Sequence, residues 1–174
     1  MRIIDAHTHL GSCCERGWHQ KYDRIDDASV VEDFTGIGIE TIVTAPYVLT
    51  QGRMQEANRI ALRAANEFPG KIYGYITIIP FCGIDEVKSE IKKYIADSHF
   101  VGFKFLTGYH GEILQPEYEY AMDVANEMKC PVLVHEWGDI PKRSGIETAI
   151  KKRHNLKMVI AHQGGGSEED TKAC

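Results

Sequence analysis

Short apolar runs alternate with longer polar or amphipathic stretches along almost the whole chain. The apolar runs are "IIDAHTH", "TIVTAP", "KIYGYITIIP", "FVGFKFL", "PVLVHE" and "LKMVIAH". Each run has the length of a strand, and several are continuously apolar, as is typical of parallel strands that are buried on both faces. The hydrophobic pattern therefore predicts strands that are separated by helices or loops.

The stretches between these runs show the spacing of helices. In "MQEANRIALRAANEFPG" the apolar residues Ile60, Ala61, Ala64 and Ala65 recur at helical spacing, and the "FPG" that follows ends the helix. Helices are also predicted for "DDASVVEDFTGIG", "IDEVKSEIKKYIAD", "PEYEYAMDVANEMK" and "GIETAIKKRHN". The segments that follow the fourth and fifth strands are predicted to be loops, and the one after the fourth contains glycine.

About six βα units of roughly 20 to 40 residues follow one another, which is typical of an α/β fold. Such an array forms either a doubly wound open sheet or a (β/α)8 barrel. No internal linker interrupts residues 1–174, so we expect one domain. A complete (β/α)8 barrel has about 250 residues and rarely fewer than about 200, so a barrel of this length lacks its last strands.

Composition excludes several classes of partner. The net charge of -5 disfavours nucleic acid and anionic membranes as partners, which leaves a small-molecule substrate. No apolar stretch approaches the roughly 18 residues of a membrane span, and the N-terminus lacks the features of a signal peptide. The five cysteines are odd in number and form no CxxC motif, which predicts free thiols and a cytoplasmic protein.

Histidines stand at the ends of three predicted strands. His7 and His9 end the first strand, His135 ends the fifth, and His162 ends the sixth. In parallel α/β folds the carboxyl ends of the strands form the ligand-binding edge, so these imidazoles are expected to converge. His7 and His9 are two positions apart and share one side of the strand. A catalytic zinc site commonly uses three protein ligands, and His135 would be the third.

The other candidates have simpler interpretations. His19, His99, His110 and His154 are expected to be ordinary, partly buried residues with hydrogen-bond partners. In the loops, Cys13 and Cys14 follow the first strand and are predicted to be thiols without a metal. Trp137 follows the fifth strand, where it forms a wall of the substrate pocket or covers the rim of the barrel.

Three motifs taken together resemble a known family. "IDAHTH" at the first strand, "VLVHE" at the fifth and "IAHQGGG" at the sixth resemble the amidohydrolase superfamily, and within it the amidohydrolase-2 branch of metal-dependent hydrolases and related decarboxylases. The resemblance spans essentially the whole chain. It implies a (β/α)8 barrel and a divalent metal, most often zinc, with His7, His9 and His135 as ligands. It also implies that His162 binds a second metal or polarises the substrate or the bound water, and we predict a catalytic role for it.

Two further residues keep alternative interpretations. Lys104 ends the fourth strand, where some members of the superfamily carry a lysine carbamate that bridges two metals. In the branch that this chain resembles that role is uncommon, so Lys104 is expected to be unmodified and either to contact substrate or to pair with a carboxylate inside the barrel. Asp5 either orients a ligand imidazole or lies lower in the barrel.

The resemblance also implies a residue that has no matching position. The family carries an aspartate at the end of the eighth strand, which completes the metal site and shuttles a proton. Asp139 and Asp170 are in the wrong places to be its equivalent. We therefore expect metal binding with weak or absent turnover, in a chain that is a fragment of a longer product or a short form completed by homo-oligomerisation.

The main functional hypothesis is a metal-dependent hydrolase. It would act on an amide, lactone or similar carbonyl bond of a small molecule through metal-activated water. The first alternative is non-oxidative decarboxylation of a small carboxylic acid on the same scaffold, which basic residues such as Lys104 and Arg143 would favour. The second is a catalytically incomplete chain that binds metal without turnover.

Overall fold

The computed structural model of this chain describes residues 2–11, 27–135 and 140–164. For residues 140–144, 163 and 164 it describes the backbone alone. The predictions for His19, Cys13, Cys14 and Trp137 therefore lie outside the described residues.

Strands and helices alternate along the described chain. The strands are β1 (Ile4–Thr8), β2 (Thr41–Thr44), β3 (Ile72–Thr77), β4 (Phe100–Leu106), β5 (Pro131–His135) and β6 (Lys157–Ile160). The helices are α1 (Asp27–Gly36), α2 (Met54–Glu67), α3 (Ile84–Tyr94), α4 (Thr107–His110), α5 (Pro116–Met128) and α6 (Ile140–Lys151). The strands form one sheet in chain order, from β1 to β6. The fold is therefore that of an incomplete (β/α)8 barrel, as the sequence predicted.

The structure corrects three details of the predicted elements. The loop predicted after β4 begins with the helix α4, which is too short to produce a recognisable hydrophobic period. Helix α6 begins at Ile140, in the segment predicted to be a loop before Gly145. His162 does not end a strand, because β6 stops at Ile160 and the chain then enters a 3-10 turn, Ala161–Gly164, in which His162 has a φ of 58°.

The described chain divides into two compact units. The first consists of Met1–Tyr75 and Asp97–Val101, and the second of Ile76–Ala96 and Gly102–Cys174. His7 and His9 belong to the first unit, whereas Lys104, His135 and His162 belong to the second.

The core of the first unit forms where α1 and α2 pack on the strands. Its buried residues are Leu10, Val30, Ile42, Ala64 and Ile72. Small residues permit this packing: a Cβ on Gly74 of β3 would lie 3.0 Å from the Cβ of Ala61 and 3.0 Å from the ring of Phe100. Glycine at position 74 and alanine on the inner face of α2 thus allow the helix to approach the sheet closely.

The core of the second unit is aromatic and aliphatic. Phe103 and Phe105 of β4 are fully buried, and the ring of Phe105 stacks on that of Tyr118 of α5 at a centroid distance of 4.3 Å. The buried residues of α5 are Tyr118, Ala121, Met122 and Ala125, which recur at helical spacing. These contacts hold β4 and α5 together, and β4 carries Lys104.

Two further observations concern the described residues alone. Cys82 and Cys130 are free thiols, in agreement with the prediction that the cysteines are reduced. None of the helices within the described ranges is long and apolar enough to cross a membrane.

Candidate metal and substrate site

In the first unit, His7 and His9 lie side by side. Their ring centroids are 5.0 Å apart, and the rings meet edge to face at 75°. The intervening Thr8 is buried, and its hydroxyl donates to the carbonyl of Val43 at 2.9 Å. The anchored threonine and the two partly exposed imidazoles thus alternate, which confirms the prediction that His7 and His9 share a side.

The protonation of His9 follows from its backbone contact. Its Nδ1 lies 2.6 Å from the carbonyl oxygen of Ala45, and a carbonyl oxygen can only accept, so Nδ1 carries the hydrogen. In the neutral ring the lone pair is then on Nε2. A metal-binding histidine is commonly oriented in this way, with one ring nitrogen donating to a carbonyl and the other available to the ion.

Asp5 and Tyr75 fix the backbone around the pair. The carboxylate of Asp5 accepts the backbone N–H of His7 at 2.9 Å, so its described hydrogen bond is to backbone and not to a ligand imidazole. The hydroxyl of Tyr75 donates to the carbonyl of Ala6 at 2.9 Å. Burial and the nearby charge of Asp5 raise the pKa of Tyr75 to about 12, so this hydroxyl stays a donor at neutral pH.

In the second unit, His135 and His162 form another pair. The Nε2 of His162 lies 3.1 Å from the Nδ1 of His135, and the ring centroids are 4.7 Å apart. The hydroxyl of Thr107 donates to the carbonyl of His135 at 2.7 Å and holds the end of β5. Because one nitrogen of the pair donates and the other accepts, the two rings share one proton. Two imidazole nitrogens that each bind one ion at about 2.0–2.1 Å have a similar separation.

Lys104 lies in the interior of the second unit near His162. It is fully buried in β4, and burial lowers the pKa of its ammonium group to about 7. The pKa of His162 is also lowered, first by desolvation and then by the positive charge of Lys104. His162 is therefore neutral at neutral pH, and Lys104 brings a titrating amine into its electrostatic neighbourhood.

Replacing Lys104 with methionine is expected to stabilise the fold most at pH 7 and below. The lysine titrates at 10.5 when unfolded and at about 7 when folded, so the unfolded chain binds more protons between these values. The free energy of unfolding of the wild type therefore rises across this window, relative to the variant, by up to about 1.4 kcal/mol per pH unit. Urea denaturation of both proteins at about pH 6.5, 8 and 9.5 measures this change. A difference that stays constant with pH would contradict it.

The donor chemistry of both pairs suits a divalent metal, because neutral imidazole binds zinc, iron, copper and nickel. Within residues 2–11, 27–135 and 140–164, no group of three His, Cys, Asp or Glu side chains lies close enough together to hold an ion. The structure thus shows two pairs, one in each unit. The joint ligand set of His7, His9 and His135 remains a prediction, as does the catalytic role of His162.

The interpretation of the remaining histidines is confirmed for His99 and wrong for His110, and it is also wrong in expecting His154 to be partly buried, because that residue is exposed. His99 has a partner, since its Nδ1 lies 2.8 Å from a carboxylate oxygen of Asp97. His110 is buried, but neither ring nitrogen has a hydrogen-bond partner among the described residues. The sequence did not single out His110 because the residue lies in the unpredicted helix α4, although its position in the segment that follows β4 was a usable signal.

Comparisons with known proteins agree with this architecture. An amidohydrolase family model, Amidohydro_2, matches residues 4–172. No curated protein sequence is significantly similar to the chain. Among solved structures, the chain is similar to a 5-carboxyvanillate decarboxylase from Novosphingobium aromaticivorans with bound manganese, with 14% identity, a TM-score of 0.71, and coverage of 94% of this chain and 66% of that one.

Two more structures show the same likeness. A 2,6-dihydroxybenzoate decarboxylase from Rhizobium has 15% identity and a TM-score of 0.66, with 94% of this chain and 67% of that chain covered. A probable 2-pyrone-4,6-dicarboxylic acid hydrolase from Acinetobacter baumannii, with citric acid bound, has 16% identity and a TM-score of 0.62, with 94% and 59% covered. The chain thus spans about two thirds of the length of such structures, and at these identities the likeness shows the fold. Together with the family model that matches almost all of the sequence, the fold establishes that the chain belongs to the amidohydrolase-2 family.

Proposed function

We propose that this chain carries the metal- and substrate-binding part of a metal-dependent hydrolase that acts on an amide, lactone or similar carbonyl bond of a small molecule bearing a carboxylate. The observation that carries the proposal is the His135–His162 pair with Lys104 nearby. A divalent metal bound by the histidines would supply a Lewis acid and lower the pKa of water. Manganese is bound in one of the similar structures, and zinc is our choice on the resemblance and the imidazole ligands.

The residues of the second unit have distinct parts in this proposal. His162 is neutral at neutral pH, so it can take up a proton that leaves the attacking water or return one to the leaving group. The contact with His135 restrains the ring of His162. In its protonated form, which predominates below about pH 7, Lys104 provides positive charge in a buried setting, where attraction to a substrate carboxylate is stronger than in water.

A second candidate is decarboxylation of a small carboxylic acid. The observation that favours it is again Lys104, because a protonated amine close to the histidine pair binds carboxylate and can deliver a proton to the carbon from which carbon dioxide leaves. Two of the similar structures are decarboxylases of aromatic acids, whereas the third is a probable hydrolase of a dicarboxylic acid. The scaffold is thus compatible with both reactions.

Turnover by the chain loaded with zinc or manganese tests the proposal, with His162→Ala as the variant and His154→Ala as the control. His154 is exposed on the surface, so His154→Ala makes the same change of histidine to alanine outside the candidate site. Against a panel of lactones, amides and aromatic acids, His162→Ala should lose about 100-fold or more in kcat/KM, since positioned acid–base groups contribute about 10²–10⁴-fold.

The products separate the candidates. Proton release without carbon dioxide indicates hydrolysis of a lactone, whereas release of carbon dioxide indicates decarboxylation. Equal activity of the two alanine variants would contradict a catalytic role for His162. Metal binding with no turnover of any member of the panel would favour the catalytically incomplete chain.

A further inference from the structure

The imidazole of His110 is buried and has no hydrogen bond within the part of the chain that the structure describes. Its side chain is 8% exposed, and neither nitrogen has a partner among the described residues. Burial lowers the pKa of the ring to about 4, so the ring is neutral at physiological pH. Each buried polar atom without a partner destabilises a fold by about 1–3 kcal/mol. A phenylalanine would fill the same space without this penalty, so the histidine requires an explanation outside packing.

His110 lies next to the histidine pair of the second unit. The helix α4 that contains it begins at Thr107, whose hydroxyl holds the carbonyl of His135. The ring of Tyr109 lies near both histidines, with its centroid 5.6 Å from that of His135 and 6.4 Å from that of His110. One aromatic ring thus separates His110 from a predicted metal ligand.

An exposed aromatic surface covers this region. The ring of Phe81 meets that of His110 edge to face at 5.3 Å, and the phenylalanine is 65% exposed. Tyr109 is 55% exposed. We call Phe81, Tyr109 and His110 the aromatic rim. Large aromatic side chains that are exposed to solvent beside a polar site are typical of surfaces that bind a planar apolar group.

We propose that His110 is a substrate-binding residue, which donates or accepts a hydrogen bond to a hydroxyl or carbonyl substituent of a planar ring seated on the aromatic rim. The ring of Phe81 lies against the imidazole and shifts to admit the substituent. This inference rests on the proposed function, because it places the reactive carboxyl or carbonyl group of the same ring beside His135 and His162. It assigns to the substrate a flat ring with a hydrogen-bonding substituent.

The test uses salicylate as the probe, because it is a planar ring with a hydroxyl and a carboxylate. Cyclohexanecarboxylate has the same charge on a puckered ring and serves as the matched ligand. Binding is measured by calorimetry on the full chain, both free of metal and loaded with zinc. The variants are His110→Phe, which keeps a ring and removes both nitrogens, and His154→Phe, which makes the same change at an exposed site.

We expect salicylate to bind the wild type and the His154→Phe control equally, and to bind His110→Phe about tenfold more weakly. Cyclohexanecarboxylate should bind weakly to all three. The melting temperature of His110→Phe should rise, whereas removal of a merely structural histidine would lower it. Salicylate should also shift the 15N resonances of the His110 ring in the wild type, a measurement that does not depend on the folding of any variant.

Equal affinity of His110→Phe and the wild type for salicylate overturns the proposal. So does a wild-type chain that binds no salicylate, or one in which the His110 resonances do not respond to it. Failure of the proposed function looks different. Salicylate binding that depends on His110 in a chain without metal or turnover would leave this inference standing and reject the metal-dependent enzyme.

Discussion

Replacing His9 with alanine is expected to lower the affinity of the chain for a divalent metal by roughly 1,000-fold or more, beyond the 10–100-fold typical of residues that only orient a ligand. The expectation follows from the state of the imidazole. Its Nδ1 donates to the carbonyl of Ala45 at 2.6 Å, so the lone pair of the neutral ring is on Nε2 and the ring is held in place before any ion binds. Alanine removes the lone pair and the preorganisation together.

Calorimetric titration with zinc or manganese measures this effect. His154→Ala is the matched control, since it removes an exposed imidazole that belongs to neither histidine pair. The contact of His9 with His7 leads us to expect that His7→Ala behaves as His9→Ala does. Wild-type metal affinity in His9→Ala would show that the first-strand pair is not part of the metal site, whatever its geometry.

Replacing Gly102 with alanine is expected to lower the free energy of unfolding by roughly 3 kcal/mol or more, at the upper end of what overpacking does. Gly102 lies in β4 beside the first residue of β5. A Cβ at this position would overlap the carbonyl oxygen of Pro131 and would lie 3.0 Å from its Cγ. The oxygen belongs to the backbone of the neighbouring strand, so it cannot move aside unless β4 and β5 separate. The register that pairs Leu106 with His135 depends on that contact between strands.

Gly108→Ala provides the matched control. Gly108 lies in α4, six positions along the same chain segment, and a Cβ there would meet nothing within 4 Å. Urea denaturation should show a large loss in the free energy of unfolding for Gly102→Ala. For Gly108→Ala the free energy of unfolding should change by no more than about 0.5 kcal/mol or rise slightly. Similar losses in both would mean that glycine flexibility matters here and the close approach of the strands does not.

The alternation of strands and helices was predictable because it depends on local periodicity. "FVGFKFL" has the length and composition of a buried strand and forms β4 at the predicted bounds. The helix α2 begins at Met54, as its pattern indicated, and its buried alanines follow the predicted stripe. In both elements the neighbouring residues favour the same secondary structure, so the hydrophobic pattern of a short window of sequence is enough to predict it.

Parts of the candidate site could not be obtained in this way. The pairing of His7 with His9 was predictable, since residues two positions apart at the end of a strand share a side, although β1 itself stops at Thr8 and His9 follows it. The helix α4 spans only four residues, Thr107–His110, and its contacts with Phe81 and His135 come from distant parts of the sequence. For the same reason the sequence did not indicate that the ring nitrogens of His110 lack hydrogen-bond partners among the described residues, because a partner can come from any element that surrounds a buried nitrogen.

The sequence by itself determined the class of this protein: a βα array of the amidohydrolase-2 family, with histidines at or beside the ends of its first, fifth and sixth strands. Only the tertiary structure decided the chemistry of individual groups. It placed the hydrogen of His9 on Nδ1, buried Lys104 so that its pKa falls to about 7, and left His110 neutral and unpaired among the described residues. The physical reason is that hydrophobic period is a property of neighbouring residues, whereas desolvation and hydrogen bonding are set by groups that meet only in the folded chain.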